Sequence, residues 1–388
     1  MTSATLTARL AGPAAKIGAA DWNACANPAG LPDCHPFTRY EFFAALEQSG
    51  SATAKTGWHP CHVTVERDGG VVGLMPLYAK SHSYGEYVFD QGWAEAFARA
   101  GGHYYPKLQA SVPFTPVTGP RLLLREGEDG PAGRRALLSA GARAVENLGA
   151  SSLHITFMTE AEWNEAAGCG FLQRTDQQFH WNNNGYRTFD DFLSELSSSR
   201  RKSLRKERQA IRDLGIEFDW LSGSDLTETH WDAFFAFYLE TGRHKWGRPY
   251  LTRNFFSRIG ASMSRSILLV MARRGKRPIA GALNFMGDGV LFGRNWGAAE
   301  YVPFLHFEAC YYQAIEFAIA KGVRKVEAGA QGGHKLLRGY TPALTRSAHF
   351  IADPRLRRAV ADYLARERDV VAEDMAEMST QTPYRKEG

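Results

Sequence analysis

The sequence predicts a mixed α/β (α+β) fold built from two similar units in tandem, and three observations carry this. The chain has 388 residues, enough for two domains of ordinary size. Its 44% apolar and 22% charged content belongs to a globular protein and excludes a disordered one. The order helix, hairpin, strand, helix, strand, strand occurs in each half. This is a recurrence of elements rather than of sequence, with a period too long for a solenoid.

The elements follow in order. Residues 1–20 are expected to be a flexible tail. The first domain is expected over 21–178. In it, 38–48 places Phe42, Phe43 and Leu46 on one side of a helix. Segments 61–67 and 71–80 flank Asp68-Gly69-Gly70, a strong hairpin signal. Short strands are expected at 87–89 and 122–124. A helix over 131–148 opens on Pro131, where no backbone donor is missed. A strand (153–157), a short helix (160–167) and a strand (179–181) follow. The second domain is expected over 179–352. Helices are expected at 189–196, 200–214 and 231–242, and a strand at 266–273. A hairpin pairs 277–285 with 290–296 around Gly287-Asp288-Gly289, and a long helix (304–321) leads into a strand at 323–327. The stretch 353–388 is a charged amphipathic helix, over 355–378, and a tail.

Composition narrows the functional classes. No apolar run approaches the ~20 residues that span a bilayer, and the first residues lack the apolar block of a secretory signal. A cytoplasmic protein without a membrane span is expected. The five cysteines (Cys25, Cys34, Cys61, Cys169, Cys310) form no C-x-x-C pair, so neither a disulfide framework nor a zinc site is indicated. His59, Cys61 and His62 have no matching second pair and are expected to be packed strand residues. No metal is expected. Charge is uneven. Residues 180–350 carry 25 Lys and Arg against 16 Asp and Glu, a net +9 where the whole chain has +5, which leaves −4 for the rest. That favours a phosphate-bearing ligand or RNA.

The densest chemistry lies in 327–350, EAGAQGGHKLLRGYTPALTRSAHF. A strand end delivers Glu327, then Gly329, Gln331, Gly332 and Gly333, then His334, Lys335, Arg338 and Tyr340. Glycines let backbone approach a ligand closely, and the cations suit an anionic group. The run RRKSLRKER puts Arg201, Arg205 and Arg208 on one helical face, and Lys202 and Lys206 on another. Either face is suited to clamping phosphates. After an aromatic helix, GRHKWGRPYLT interleaves Arg243, His244, Lys245, Trp246, Arg248 and Tyr250, a pattern suited to stacking plus phosphate contact. The proline-rich VPFTPVTGP (112–120) is expected to be a rigid connection. Neither a G-x-S-x-G elbow nor a Walker pattern is present.

The element order resembles two tandem GNAT-like acyltransferase domains. The segments RRKSLRKERQAI, YLETGRHKWGRPYLT, the ALNF–GRNWGA hairpin and HKLLRGYTP resemble the bacterial FemAB-like predicted N-acyltransferases, over about 21–368. That resemblance implies acyl or aminoacyl transfer to an amine, with acyl-CoA or aminoacyl-tRNA as donor. The acceptor would be a small molecule or a cell-wall precursor, and tRNA is a possible partner. One departure stands out. A Q/R-x-x-G-x-G/A loop opening a helix, whose backbone N–H groups would hold a CoA pyrophosphate, is not clean in either half. The donor stays open.

Amide formation needs a neutral amine, a polarised carbonyl and a protonated leaving group. From residue type and position, Glu327 and His334 are the candidate bases and Tyr340 the candidate proton donor. Backbone at Gly329, Gln331, Gly332 and Gly333 would polarise the carbonyl, and Lys335 and Arg338 would bind phosphate or carboxylate. Arg201, Lys202, Arg205, His244, Lys245, Trp246, Asn295 and Trp296 complete the expected donor-binding set. The alternative is a non-catalytic anion- or RNA-binding module on a duplicated GNAT-like fold.

Overall fold

The computed structural model describes residues 6–31, 33–245, 249–329 and 332–385, and for 243–245 the backbone alone. The chain divides into two compact units, each assembled from two stretches. One comprises Met1–Asp176 with Leu344–Ala372, the other Gln177–Ala343 with Glu373–Gly388.

In the first unit, an antiparallel sheet takes the order Thr7–Gly12, His62–Arg67, Gly70–Met75, Leu123–Leu124. A further run of paired strands is Trp58–Pro60, Tyr78–Lys80, Lys107–Ala110 and Ser152–Ile155. Residues Ala348 to Ile351 then pair antiparallel with Ile155 to Ser152. The helix Gly130–Asn147 is capped by the Asp129 carboxylate and carries Pro131 in its first turn. It buries Leu137, Leu138 and Val145 against Val63, Val65, Met75 and Leu153. His62 is fully enclosed, at 2.8 Å from Glu47 Oε1, with its Nδ1 accepting from the Leu77 amide. It is a satisfied core histidine, as its strand position predicts.

The second unit carries the strands Ile216–Leu221, Ile267–Arg274, Arg277–Gly287 and Val290–Ala298 as an antiparallel meander. The hairpin turns through Asp288-Gly289, as expected. The helical stretch 305–321 then leads to Lys325–Glu327, which pairs parallel with Val290 to Phe292. On the other edge of this short strand lie Asn182, Trp181 and His180, antiparallel. The helix Glu228–Lys245 presses its backbone against Gly297. A Cβ there would fall 2.3 Å from the Phe237 carbonyl carbon, so only glycine admits the contact.

Some expectations fail. The stretch expected as a tail, residues 1–20, contains the paired strand Thr7–Gly12, the helix Ala14–Ile17 and the start of the helix Ala19–Ala26. Residues 87–89 form no strand. Glu86 and Asp90, which flank them, turn inward to the buried Lys107, at 2.6 Å in the case of Glu86, and that charge pairing displaces sheet pairing. The helices Gln91–Arg99 and Arg253–Met263 and the strand Thr341–Ile351 were not foreseen. The proline-rich segment is pinned by the fully buried Arg121. Its guanidinium donates to the carbonyls of Val117, Gly119, Pro120 and Thr156.

Candidate active site

Val326 points into the core, so strand alternation turns Lys325 and Glu327 to the opposite face. Lys325 Nζ lies 2.6 Å from Glu327 Oε1, and His180, directly across the ladder, places Nε2 3.8 Å from the same oxygen. Glu327 is 2% exposed, and its Oε2 has no hydrogen-bond partner among the described residues. Leaving a buried carboxylate oxygen unengaged is costly. Burial lowers the pKa of His180, countered by Glu327 and reinforced by Lys325 and Lys335.

Gly332 at φ 105° and Gly339 at φ 89° bracket the 3₁₀ segment Gly333–Arg338. Such backbone angles are open to glycine and strained elsewhere. The tight helix turns Lys335, Leu336 and Arg338 inward and leaves His334 exposed. Lys335 Nζ donates to the Gly329 carbonyl at 2.9 Å. Burial lowers its pKa to about 8; nearby Cys310 opposes that shift and Arg294 adds to it. His334 Nε2 is 2.9 Å from the Tyr311 hydroxyl.

Tyr311 owes its position to a π-helical turn, Glu308–Tyr312, inside the helical stretch 305–321. Such a turn inserts an extra residue and is frequent at functional sites. Here both Tyr311 and Tyr312 face inward: Tyr311 meets His334, and Tyr312 donates to Glu207. Glu308 receives Arg208 at 2.9 Å, and Arg208 also reaches Glu316 at 2.6 Å.

The ladder between Val290–Ala298 and Lys325–Glu327 ends at Phe292 and Glu327. Beyond it, a β-bulge leaves Arg294 as the extra residue between Gly293 and Asn295, which face Asn284 and Leu283. A cavity of about 90 Å³ opens there, walled by Gly293, Arg294, Asn295, Cys310, Tyr311 and Ala328, among others. A Cβ on Gly293 would come 3.3 Å from the Glu327 carbonyl oxygen, so glycine keeps the two chains close at this point.

The sequence-derived residues distribute as follows. Glu327, His334, Lys335, Gly329, Gly332 and Gly333 lie in one short stretch around the end of this strand, and Asn295 and Trp296 line the small cavity. Arg338 was expected to bind an anion. Instead it is committed inside the protein: its guanidinium meets both Glu207 oxygens at 2.9 and 3.0 Å, donates to the His334 carbonyl at 2.8 Å and stacks 3.4 Å over the Phe307 ring. Tyr340, expected as proton donor, is fully enclosed in the aromatic core, and burial drives its pKa well up. The hydroxyl beside His334 belongs to Tyr311.

The basic helix Ser198–Asp213 buries Leu204 and Ile211, which turns Arg208 inward with them and Arg201, Lys202 and Arg205 toward solvent. The face expected to be shared by Arg201, Arg205 and Arg208 is kept in part: Arg205 and Arg208 line one cavity, without Arg201, and Arg208 is also drawn to Glu308 and Glu316. Arg205 pairs with Asp190 at 3.0 Å, and Arg201 reaches the Ser194 carbonyl at 3.4 Å. Arg205 lines an open cavity of about 760 Å³ with Lys206, Arg208 and Arg212. Gln331 and Trp246 lie outside the described residues, as do the side chains of His244 and Lys245. Tyr311, Glu207 and Glu308 were missed. The first and last sit in an apolar-looking helix, and their roles come from an inserted turn that periodicity does not reveal. Among the described residues, no group of three or more His, Cys, Asp or Glu is placed to hold a metal ion.

The sequence matches none of the curated proteins. Among solved structures it is similar to one titled "Crystal structure of FemX", at 12% identity and TM-score 0.54, over 89% of this chain and 98% of that one. It is also similar to the structure of L-PGS from Bacillus licheniformis, at 10% identity and TM-score 0.50, over 86% and 97%. A tandem GNAT protein from the clavulanic acid biosynthesis pathway aligns at 11% identity and TM-score 0.48, over 90% and 99%. The fold is mixed α/β in two compact units, and its likeness to FemX extends over most of both chains. The family model described as "Peptidogalycan biosysnthesis/recognition" matches residues 13–386, and the chain belongs to this FemAB-like family.

Proposed function

We propose that the chain is an N-acyltransferase that moves an acyl or aminoacyl group from an activated donor, acyl-CoA or aminoacyl-tRNA, to an amine. The acceptor fits a small molecule or a cell-wall precursor, in keeping with the family description. The observation that carries this reading is the buried Glu327, whose Oε2 has no hydrogen-bond partner among the described residues, in the same short stretch of chain as Lys335 and as His334, which pairs with Tyr311. In the reaction the amine nitrogen forms a bond to the acyl carbon, and the bond from that carbon to the donor's sulfur or oxygen breaks. The amine proton passes to a base, for which Glu327 and His334 are the candidates. The leaving thiolate or alkoxide takes up the proton that the base removed from the amine, with His334, whose ring is held by the Tyr311 hydroxyl at 2.9 Å, as the candidate carrier. Lys335, charged at neutral pH, stabilises negative charge on the carbonyl oxygen or leaving group.

Purified protein assayed against acyl-CoA and aminoacyl-tRNA donors tests this. Glu327→Gln and His334→Ala are each expected to lower kcat at least ~10-fold, the lower range for general acid–base catalysis, with unchanged melting temperature. Unchanged turnover in both variants removes the assigned roles. Absence of transfer from any donor removes the function.

The exposed cations Arg205, Lys206 and Arg212 line one cavity, together with Asp190 and Glu316, and favour a second reading, a non-catalytic module that binds RNA or another polyanion. Salt-sensitive tRNA binding without any acyl transfer would establish it.

A further inference from the structure

A second, larger cavity lies beside the site, and its chemistry is unlike that of the basic groove. It measures about 770 Å³ and occupies the loop between Val290–Ala298 and the helical stretch 305–321. That volume falls within the ~300–1,000 Å³ range of small-molecule sites.

The residues found there oppose a phosphate. Among the described residues, none that lines it is Lys or Arg. Pro303 offers no backbone N–H. Glu240 and Glu300 add carboxylates, the latter paired with Arg277 at 2.7 Å and Arg274 at 3.2 Å. Thr241, on the same wall, accepts the Ala298 amide at 3.3 Å. The rest is largely apolar or aromatic. Tyr301 is 91% exposed and Phe304 is 38% exposed. Phe304 also sits at φ +66°, a costly conformation for a bulky residue, so the fold strains to present that ring.

The cavity reaches the reacting groups through shared walls. Trp296 and His306 line both it and the small cavity at the β-bulge. The His306 ring lies 5.4 Å from Tyr311 and 6.3 Å from His334, centroid to centroid. We propose that the cavity walled by Trp296, Val302, Pro303, Phe304 and Phe307 receives an uncharged apolar acyl chain of the donor. This rests on the acyl-transfer reading above and adds the class of group transferred. The carbonyl end then lies toward His306, Tyr311 and His334, and the chain is buried away from them.

The test is a binding titration of the full chain with N-acetylcysteamine thioesters carrying acetyl, hexanoyl, octanoyl and decanoyl groups, followed by tryptophan fluorescence and calorimetry. Kd should tighten about fourfold for each methylene buried, from the ~0.8 kcal/mol worth of each CH₂. Ala299→Trp, at an exposed position on the cavity wall, should abolish that gain while leaving the melting temperature unchanged. A Kd independent of chain length overturns the assignment, as does Ala299→Trp binding the long thioesters like wild type. Tighter binding of free adenosine than of decanoyl thioester also overturns it, in favour of a base-stacking site. Chain-length-dependent binding with no transfer to any amine overturns the acyl-transfer reading and leaves the apolar site standing. Equal transfer of acetyl and decanoyl groups without chain-length-dependent binding does the reverse.

Discussion

Lys335 is the residue whose environment says most about how the site works. It is 3% exposed, its ammonium donates to the Gly329 carbonyl, and burial lowers its pKa to about 8. It is therefore largely charged at neutral pH and loses its proton just above. If the cation stabilises developing negative charge, kcat/KM falls as pH rises through about 8, because that profile reports groups of the free enzyme. Lys335→Arg should retain part of the activity and move that alkaline limb to higher pH, since a guanidinium keeps its charge. An unchanged alkaline limb in the arginine variant would separate Lys335 from the chemistry. The sequence showed a lysine after a glycine cluster and led to an anion-binding role for it. It did not show burial, which makes the same lysine titratable near pH 8. Arg338 illustrates the opposite outcome. It has the same charge and nearly the same position, but Glu207 consumes it.

At the scale of elements, the helix Ser198–Asp213 meets the helical stretch 305–321 through charge. Arg208 carries two carboxylates, Glu308 and Glu316, and its guanidinium lies 4.4 Å from the Phe189 ring centroid. Glu308 sits within the π-turn that presents Tyr311 and Tyr312, so this ion pair braces the turn. Removing one partner of a buried pair leaves the other uncompensated, at about 3–5 kcal/mol. Arg208→Met should destabilise the protein by about that much in urea unfolding. Adding Glu308→Gln should recover a large part of it, because the orphaned charge is then gone. A single substitution costing under ~1 kcal/mol would show that the pair behaves as a solvated surface bridge. The helix was legible from its periodicity, but not which of its arginines turned inward. Leu204 and Ile211 were the available signal, since Arg208 lies four residues after one and three before the other.

Over the whole molecule, each unit is closed by chain from far away in sequence. The first unit needs residues 348–351 to pair with Ser152–Ile155. It also needs Ile351, Leu356, Val360 and Leu364 to complete a core with Trp93 and Tyr104. His349 Nδ1 lies 2.7 Å from His154 Nδ1, and Trp163 donates to the Ser347 carbonyl at 3.0 Å. A fragment ending near residue 178 therefore leaves that strand edge and core open. It should lack fixed near-UV circular dichroism and aggregate, whereas the same fragment supplied with residues 344–372 should recover native-like packing. A cooperatively unfolding, monomeric 1–178 fragment would contradict this. In the second unit, the C-terminal segment plays a matching part, with the Tyr384 hydroxyl donating to the Gly339 carbonyl at 2.7 Å behind the 3₁₀ segment. Among the described residues, no helix is long and apolar enough to cross a membrane.

The sequence by itself determined the mixed α/β class, the hairpins at Asp68-Gly69 and Asp288-Gly289, the helix opening at Pro131 and the concentration of reactive groups after Glu327. These are local properties: turn residues, caps and apolar periodicity act over a few positions and are visible in a short window of sequence. Tertiary structure alone decided which charges were spent internally and which stayed available. It set Arg338 against Glu207 and Arg208 against Glu308, pairs separated by 131 and 100 residues. It enclosed Tyr340 and put Tyr311 beside His334, and it left one oxygen of Glu327 without a hydrogen bond among the described residues. The physical reason is desolvation. A charged or hydroxyl group takes its role from the partners and the water left to it once the chain has folded, and neither is written next to it in the sequence.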